Sequence, residues 1–243
     1  MSEQAFICAH RGASGDHPEN TILAFEKAIS LGCEMVEFDV RATADGRLVL
    51  LHDPSVDRTT DGSGKIWELN FDEVRALDAC AGFQEHSGIQ IPTFDEALDF
   101  FPRETELNIH VYPGPEDAHS TVAAVCRGIR SRDLYRNAFI AGSDDVMNLV
   151  IGEDPKVRRC LLGSQNRADV YARLASELGC TNSQPTNSIT TREFCDEAHA
   201  LGLIVHPFYA DEEEEMTRLI ECGVDGILTN YPARMVRLLE KLA

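Results

Sequence analysis

Positive charge is scarce in this chain. Only 22 lysines and arginines stand against 41 aspartates and glutamates in 243 residues, a formal net charge of -19 at pH 7. A surface of that sign repels nucleic-acid backbones and anionic bilayers, so neither a nucleic acid nor a stably bound membrane is an expected partner. A small soluble substrate is expected instead, and if it is anionic, the positive charge that holds it must be local, for which a metal ion is an economical source. Long apolar runs are missing too: nothing approaches the ~20 residues that span a bilayer. The opening Met1-Ser2-Glu3-Gln4 has no basic segment leading into a long apolar one, so no export signal is read there. None of the eight cysteines forms a Cys-x-x-Cys pair, and most lie in apolar runs such as Phe6-Ile7-Cys8-Ala9. They read as buried or half-buried thiols rather than disulfides or a metal cluster, which suggests a reducing compartment, the cytoplasm. Linkers and low-complexity tracts are absent as well. Residues 1–243 therefore read as one domain, and the Gly/Ser/Thr/Asp-rich residues 59–64 as a loop. Monomer and oligomer remain equally open.

Short apolar runs alternate with amphipathic stretches. Candidate strands are residues 5–9, 35–40, 107–111, 138–141, 157–162, 180–183, 203–207 and 226–229. Helical spacing of apolar residues marks 20–31, 168–178, 192–201, 212–222 and 233–242, and Gly32, Gly179, Gly202 and Gly223 follow four of these at the expected C-terminal position. About eight strand–helix units predict a (β/α)8 TIM barrel, with a doubly wound sheet as the alternative because periodicity cannot show closure. One run breaks the alternation: residues 48–51 follow the turn Ala44-Asp45-Gly46 directly after the second strand. They are read as an extra strand within an insertion of about 41–92 that covers the barrel mouth, the next helix starting near Thr93.

Catalytic residues of such barrels project from the C-terminal strand ends. His10 and Arg11 end the first strand. Glu37 and Asp39 lie two apart on the second, so they share a face, while Val36, Phe38 and Val40 share the other. Two carboxylates facing a barrel interior are costly unless something positive lies between them, and a divalent cation is the usual solution. His52, followed by Asp53 and Pro54, closes the extra strand.

Taken in order, His10-Arg11-Gly12, Pro18-Glu19-Asn20-Thr21, Glu37-Phe38-Asp39 and His52-Asp53 resemble the signature of the glycerophosphodiester phosphodiesterase family. The stretches Asp57-Arg58-Thr59-Thr60-Asp61-Gly62-Ser63-Gly64, Ile91-Pro92-Thr93 and Gly223-Val224-Asp225-Gly226-Ile227-Leu228-Thr229-Asn230-Tyr231-Pro232 extend the likeness along nearly the whole chain. The resemblance implies a (β/α)8 barrel that hydrolyses glycerophosphodiesters to glycerol 3-phosphate and an alcohol with Mg²⁺ or Ca²⁺. It implies that Glu37 and Asp39 hold the metal, that Arg11 binds phosphate through its planar fork, and that His10 and His52 form the acid–base pair.

The chain departs from that pattern on the third barrel strand. The family usually has Glu-x-Lys there, as metal ligand and phosphate contact; this sequence has Asn108, His110 and Tyr112 on one face, with His110 at the Glu position and Tyr112 at the Lys position. Three carboxylates, a divalent cation, an Arg and a Lys carry one net positive charge; two carboxylates, the cation and Arg11 carry the same. The paired change therefore reads as a replacement, with His110 a metal ligand and Tyr112 a neutral donor to substrate. An imidazole ligand shifts metal preference toward Mn²⁺, Co²⁺ or Zn²⁺ and weakens binding as His110 protonates below about pH 6.5. His206-Pro207-Phe208-Tyr209 stands where Trp-Thr-Val-Asn is usual, and Thr229-Asn230 where Thr-Asp is. The Ser-Phe usual after the fourth barrel strand is missing near Gly142-Ser143. These positions tend to line the alcohol side of the pocket, so His206 is a candidate substrate contact. Hydrolysis is the leading expectation. Transfer to a neighbouring hydroxyl, giving a cyclic phosphate, and a non-catalytic phosphate-binding relative are the alternatives; retention of both His10 and His52 speaks against the last.

Overall fold

The expected alternation is present in the computed structural model, which describes residues 5–80 and 82–242. Residues 1–4, where the export-signal reading falls, lie outside the described residues. Strand β1 (Phe6–His10) leads to α1 (Ile22–Ser30), β2 (Met35–Ala42), the short β3 (Leu48–Leu50), α2 (Phe71–Arg75) and α3 (Phe94–Phe100). Strands and helices then alternate as β4 (Glu106–Val111), α4 (Ala118–Ser131), β5 (Ala138–Gly142), α5 (Asp144–Glu153), β6 (Arg158–Leu161), α6 (Tyr171–Glu177) and β7 (Asn182–Ser183). They continue as α7 (Arg192–Ala200), β8 (Ile204–Val205), α8 (Glu213–Cys222), β9 (Gly226–Thr229) and α9 (Pro232–Leu242).

Local chemistry sets the helix ends. Thr21, Thr93, Ser143 and Thr191 accept backbone N–H bonds at the starts of α1, α3, α5 and α7. Gly32, Gly179, Gly202 and Gly223 all have positive φ just past the helices they follow, the left-handed geometry that ends a helix cheaply.

Parallel pairing runs β8-β7-β6-β5-β4-β2-β1-β9, and β3 adds antiparallel to β2. The two ends of that path meet through Asp225 N–H to Val205 O (2.8 Å) and Leu228 N–H to Pro207 O (3.1 Å). Strand order therefore follows the chain around a closed ring, without the reversal that defines a doubly wound sheet.

Strand alternation divides β2 into two faces. Val36, Phe38 and Val40 point into the helix layer, where Phe38 packs among Phe25, Phe94 and Phe101, stacked on the last at 5.7 Å. Glu37 and Asp39 point into the ring. Register sets their neighbours: His10 and Asn108 lie level with Glu37, and His110 lies level with Asp39. The lower part of the ring is filled by Cys8, Met35, Phe139, Cys160 and Leu228. The insertion carries its own small core of Val49, Leu51, Val56, Ile66, Val74, Ala79 and Ile91. Buried Arg41 fastens it to the barrel, donating from Nε to His52 O (2.8 Å) and from Nη1 to Tyr112 O (3.1 Å).

Phe38 is fully buried in that four-ring cluster, so Phe38→Ala is expected to cost about 3–5 kcal/mol of unfolding free energy. Urea denaturation should show a lower midpoint at unchanged slope; a cost below about 1 kcal/mol would mean that the cluster does not anchor β2.

Candidate active site

Glu37 and Asp39 have no exposed surface. Each uses one oxygen on the protein and leaves the other bare. Glu37 Oε2 accepts from the backbone N–H of Arg11 (2.8 Å), while Oε1 has no hydrogen-bond partner. Asp39 Oδ2 accepts from Asn20 Nδ2 (2.7 Å), while Oδ1 has none. The side chain of His110 completes the arrangement, with Nδ1 3.2 Å from Glu37 Oε1 and 3.9 Å from Asp39 Oδ1. Donor atoms of all three lie within 4.8 Å of one another. Two unpartnered carboxylate oxygens and an imidazole nitrogen converging at a buried spot are costly by themselves, and they match the donor set of a divalent cation.

The backbone before the site is bent to serve it. Arg11 and Asn20 both hold φ of 56°, rare for side chains other than glycine, and Gly12 follows at 80°. A Cβ on Gly12 would come within 2.7 Å of the Ala24 backbone, so only glycine lets this loop lie on α1. The result aims the Arg11 N–H at Glu37 and seats Asn20 against Asp39 in both directions, since Asn20 Oδ1 also accepts the Asp39 N–H (3.0 Å).

Charge around the pair is unequal. Burial, then the neighbouring Asp39, pushes the Glu37 carboxyl well up from its ordinary value. Burial works on Asp39 as well, but the neighbouring Arg11 guanidinium leads the interactions that outweigh it and hold that carboxyl down. Burial and the adjacent Arg11 pull His10 down to about 4, and burial pulls His110 to about 4. His110 thus stays a neutral imidazole to lower pH than the 6.5 expected from the sequence. Burial and the two carboxylates raise the Tyr112 hydroxyl, which stays protonated 3.5 Å from His110 Nδ1.

Of the two candidate proton carriers, His10 borders this centre and His52 packs on its Tyr112 side. His10 Nε2 lies 3.9 Å from Glu37 Oε2, its ring stacked on Tyr209 at 5.2 Å, and its Nδ1 lies 2.8 Å from Asn230 Oδ1. His52 packs edge-on to Tyr112 at 5.4 Å, with Nδ1 2.7 Å from Asp53 Oδ1. His206 goes elsewhere. It is fully buried between Phe6 and Phe139 and bonded to Asn182 (3.2 Å), so it lies inside the barrel and not on the substrate rim expected for it.

Several contributing residues had no sequence reading of their own. Gln184 lies 3.4 Å from His110 Nε2 and its Oε1 accepts from Asn108 Nδ2 (3.0 Å). Arg58 links the insertion to the barrel: it donates to Glu19 (2.7 and 2.9 Å) and to Asp53 (2.6 and 3.1 Å), while Glu19 also accepts from Arg11 (2.9 Å). Arg58 and Glu19 stand inside the motifs that carried the resemblance, but nothing in their spacing announced a bridge.

Residues 10–234 match the sequence profile of the glycerophosphoryl diester phosphodiesterase family. YqiK, an uncharacterized protein of Bacillus subtilis, is 35% identical, the match covering 96% of this chain and 98% of that one. A glycerophosphodiester phosphodiesterase of Caldanaerobacter subterraneus is 31% identical, with 98% and 99% covered. An Oleispira antarctica phosphodiesterase, solved in complex with the product sn-glycerol-3-phosphate, superposes with a TM-score of 0.88 at 25% identity, covering 98% of this chain and 97% of that one.

The Arg58 bridge makes a prediction about acid stability. Arg58 hydrogen bonds hold Asp53 below its ordinary 3.8, and they hold Glu19 below 4.5 against its burial. Depressed carboxyls stabilise the fold above their unfolded values and lose that contribution as pH falls through the folded ones. Arg58→Ala should therefore melt lower than the parent at pH 7, with the gap narrowing below about pH 4. Equal melting temperatures at pH 7, or a gap that widens in acid, would remove the bridge as a stabilising link.

Proposed function

The chain belongs to the glycerophosphoryl diester phosphodiesterase family, and from that membership we propose that it hydrolyses small glycerophosphodiesters to sn-glycerol 3-phosphate and an alcohol. A divalent cation would be held by Glu37, Asp39 and His110, and His10 and His52 would move the protons. The observation that carries this reading is the convergence of two bare carboxylate oxygens and an imidazole nitrogen at a buried spot, with His10 beside Glu37 and His52 packed on Tyr112. The product complex of the Oleispira relative favours the hydrolytic outcome over a cyclic one.

When bound, the cation supplies positive charge to the phosphoryl oxygens. Arg11, between Glu19 and Asp39, adds a full positive charge beside the pair and binds the phosphate. Tyr112 offers a neutral hydroxyl beside His110. His10, kept neutral by burial and by Arg11, accepts a proton from the attacking water at Nε2. His52, backed by the Asp53 carboxylate, protonates the leaving alkoxide. His206 has no part in this assignment because its ring is buried between Phe6 and Phe139. Free thiols at all eight cysteines support a reducing compartment, and we assign the cytoplasm. We assign all of this to one (β/α)8 domain spanning the 243 residues. The metal preference follows His110, toward Mn²⁺, Co²⁺ or Zn²⁺ relative to Mg²⁺ or Ca²⁺.

Turnover of a glycerophosphodiester panel, followed by release of sn-glycerol 3-phosphate, should disappear with EDTA and return with a divalent metal. His10→Ala and His52→Ala should each lower kcat by about 10²–10⁴-fold with the fold intact. ³¹P NMR should show an open-chain monoester; a ring phosphate would replace hydrolysis by transfer to a neighbouring hydroxyl. A second series compares metals: His110→Glu is expected to move preference toward Mg²⁺ or Ca²⁺, and an unchanged order would strike His110 from the ligand set.

A further inference from the structure

We propose that Asp211 is a positioning residue for His10: acting through Asn230, its carboxylate fixes which nitrogen of the imidazole carries the proton. The proposal rests on the acid–base role given to His10 above and adds to it a residue outside every motif of the sequence.

The argument is one of donors and acceptors. A carboxylate can only accept, and Asp211 accepts three bonds from the end of β9: Thr229 Oγ1–H (3.1 Å) and Asn230 N–H (2.9 Å) at Oδ1, and Asn230 Nδ2–H (2.7 Å) at Oδ2. The last bond removes the freedom of the Asn230 carboxamide to flip. Its amino group must face Asp211, so its Oδ1 must face His10, 2.8 Å from Nδ1. Ser14 Oγ lies 2.9 Å from the same oxygen, and its shorter bond (2.6 Å) goes to the His10 carbonyl. An amide oxygen can only accept, so His10 Nδ1 must carry the hydrogen. Nε2 is left with its lone pair on the Glu37 side, 3.9 Å from Oε2. Stacking on Tyr209 holds the ring plane, and the polar chain behind it holds the tautomer.

Asp211→Asn tests the chain because it is isosteric and reverses one end of it. The new carboxamide oxygen can still accept from Asn230 N–H and Thr229, and the new amino group then faces Asn230. Asn230 must flip to accept from it, presenting Nδ2–H to His10 Nδ1 and forcing the proton onto Nε2. Restoring the logic takes a second change: in Asp211→Asn/Asn230→Asp, Asn at 211 donates to Asp at 230, whose other oxygen again accepts from His10 Nδ1–H.

The readout is ¹⁵N NMR of histidine-labelled protein carrying diamagnetic Mg²⁺, with His10 identified among the eight histidines by its loss in His10→Gln. Parent and double variant should show the Nδ1–H ring and Asp211→Asn the Nε2–H ring. In parallel, kcat should fall about 10²–10³-fold in Asp211→Asn with KM little changed, where a wrong tautomer directly behind a catalytic imidazole costs about 10⁴, and should recover in the double variant. A merely structural Asp211 would move neither the tautomer nor the rescue. An Nδ1–H ring in Asp211→Asn, or no recovery in the double variant, overturns the proposal. Full activity in His10→Ala would instead overturn the acid–base role, and with it the purpose of the chain, through a measurement independent of the tautomer.

Discussion

Two carboxylates side by side inside a barrel are the constraint that organises this molecule. Glu37 and Asp39 are two residues apart on one strand, so the pleat compels both to face inward, and neither has solvent to stabilise its charge. Every unusual feature nearby answers that problem. Arg11 takes a left-handed backbone conformation that turns its N–H onto Glu37, Asn20 does the same to meet Asp39, and Gly12 lets their loop lie flat on α1. Even so, one oxygen of each carboxylate stays unpaired, and His110 presents a nitrogen to the same spot. Two bare carboxylate oxygens and an imidazole nitrogen meeting at one buried spot form a donor set that a divalent cation could fill.

The same electrostatics extend outward. From Asp39 the charges alternate through Arg11, Glu19, Arg58 and Asp53 to His52, each link within ion-pair distance. The insertion has a small hydrophobic core of its own, and this chain and the Arg41 bonds reinforce the β2–β3 pairing that sets the register of His52. The two histidines are therefore supported differently. His52 stands on an ionic arch built from the insertion, while His10 stands on the neutral amide of Asn230, itself held by Asp211. A carboxylate behind one ring and an amide behind the other give the two imidazoles different electrostatic settings.

Much of this was legible in the sequence, because it depends on period and order along the chain. Alternation made the carboxylates of β2 face together and Phe38 face away. Glycines past four helices marked their ends, and the short run after Ala44-Asp45-Gly46 marked an extra strand. The departure at His110 and Tyr112 was also readable, since strand parity alone puts them where the family's Glu and Lys would stand. His206 misled for the same reason: its position after a strand resembled a rim, but the pleat turned its ring down between Phe6 and Phe139.

Spacing on single strands, then, determined the carboxylate pair, the candidate third ligand and the barrel that carries them. Only the closed ring decided the rest, because it depends on residues far apart in the chain: Asp211 behind Asn230, Gln184 behind His110, Arg58 across Glu19 and Asp53. A side chain's periodicity tells which way it points. What it meets there is settled by register between strands and by loops folding over one another, and neither leaves a mark in the local pattern of residues.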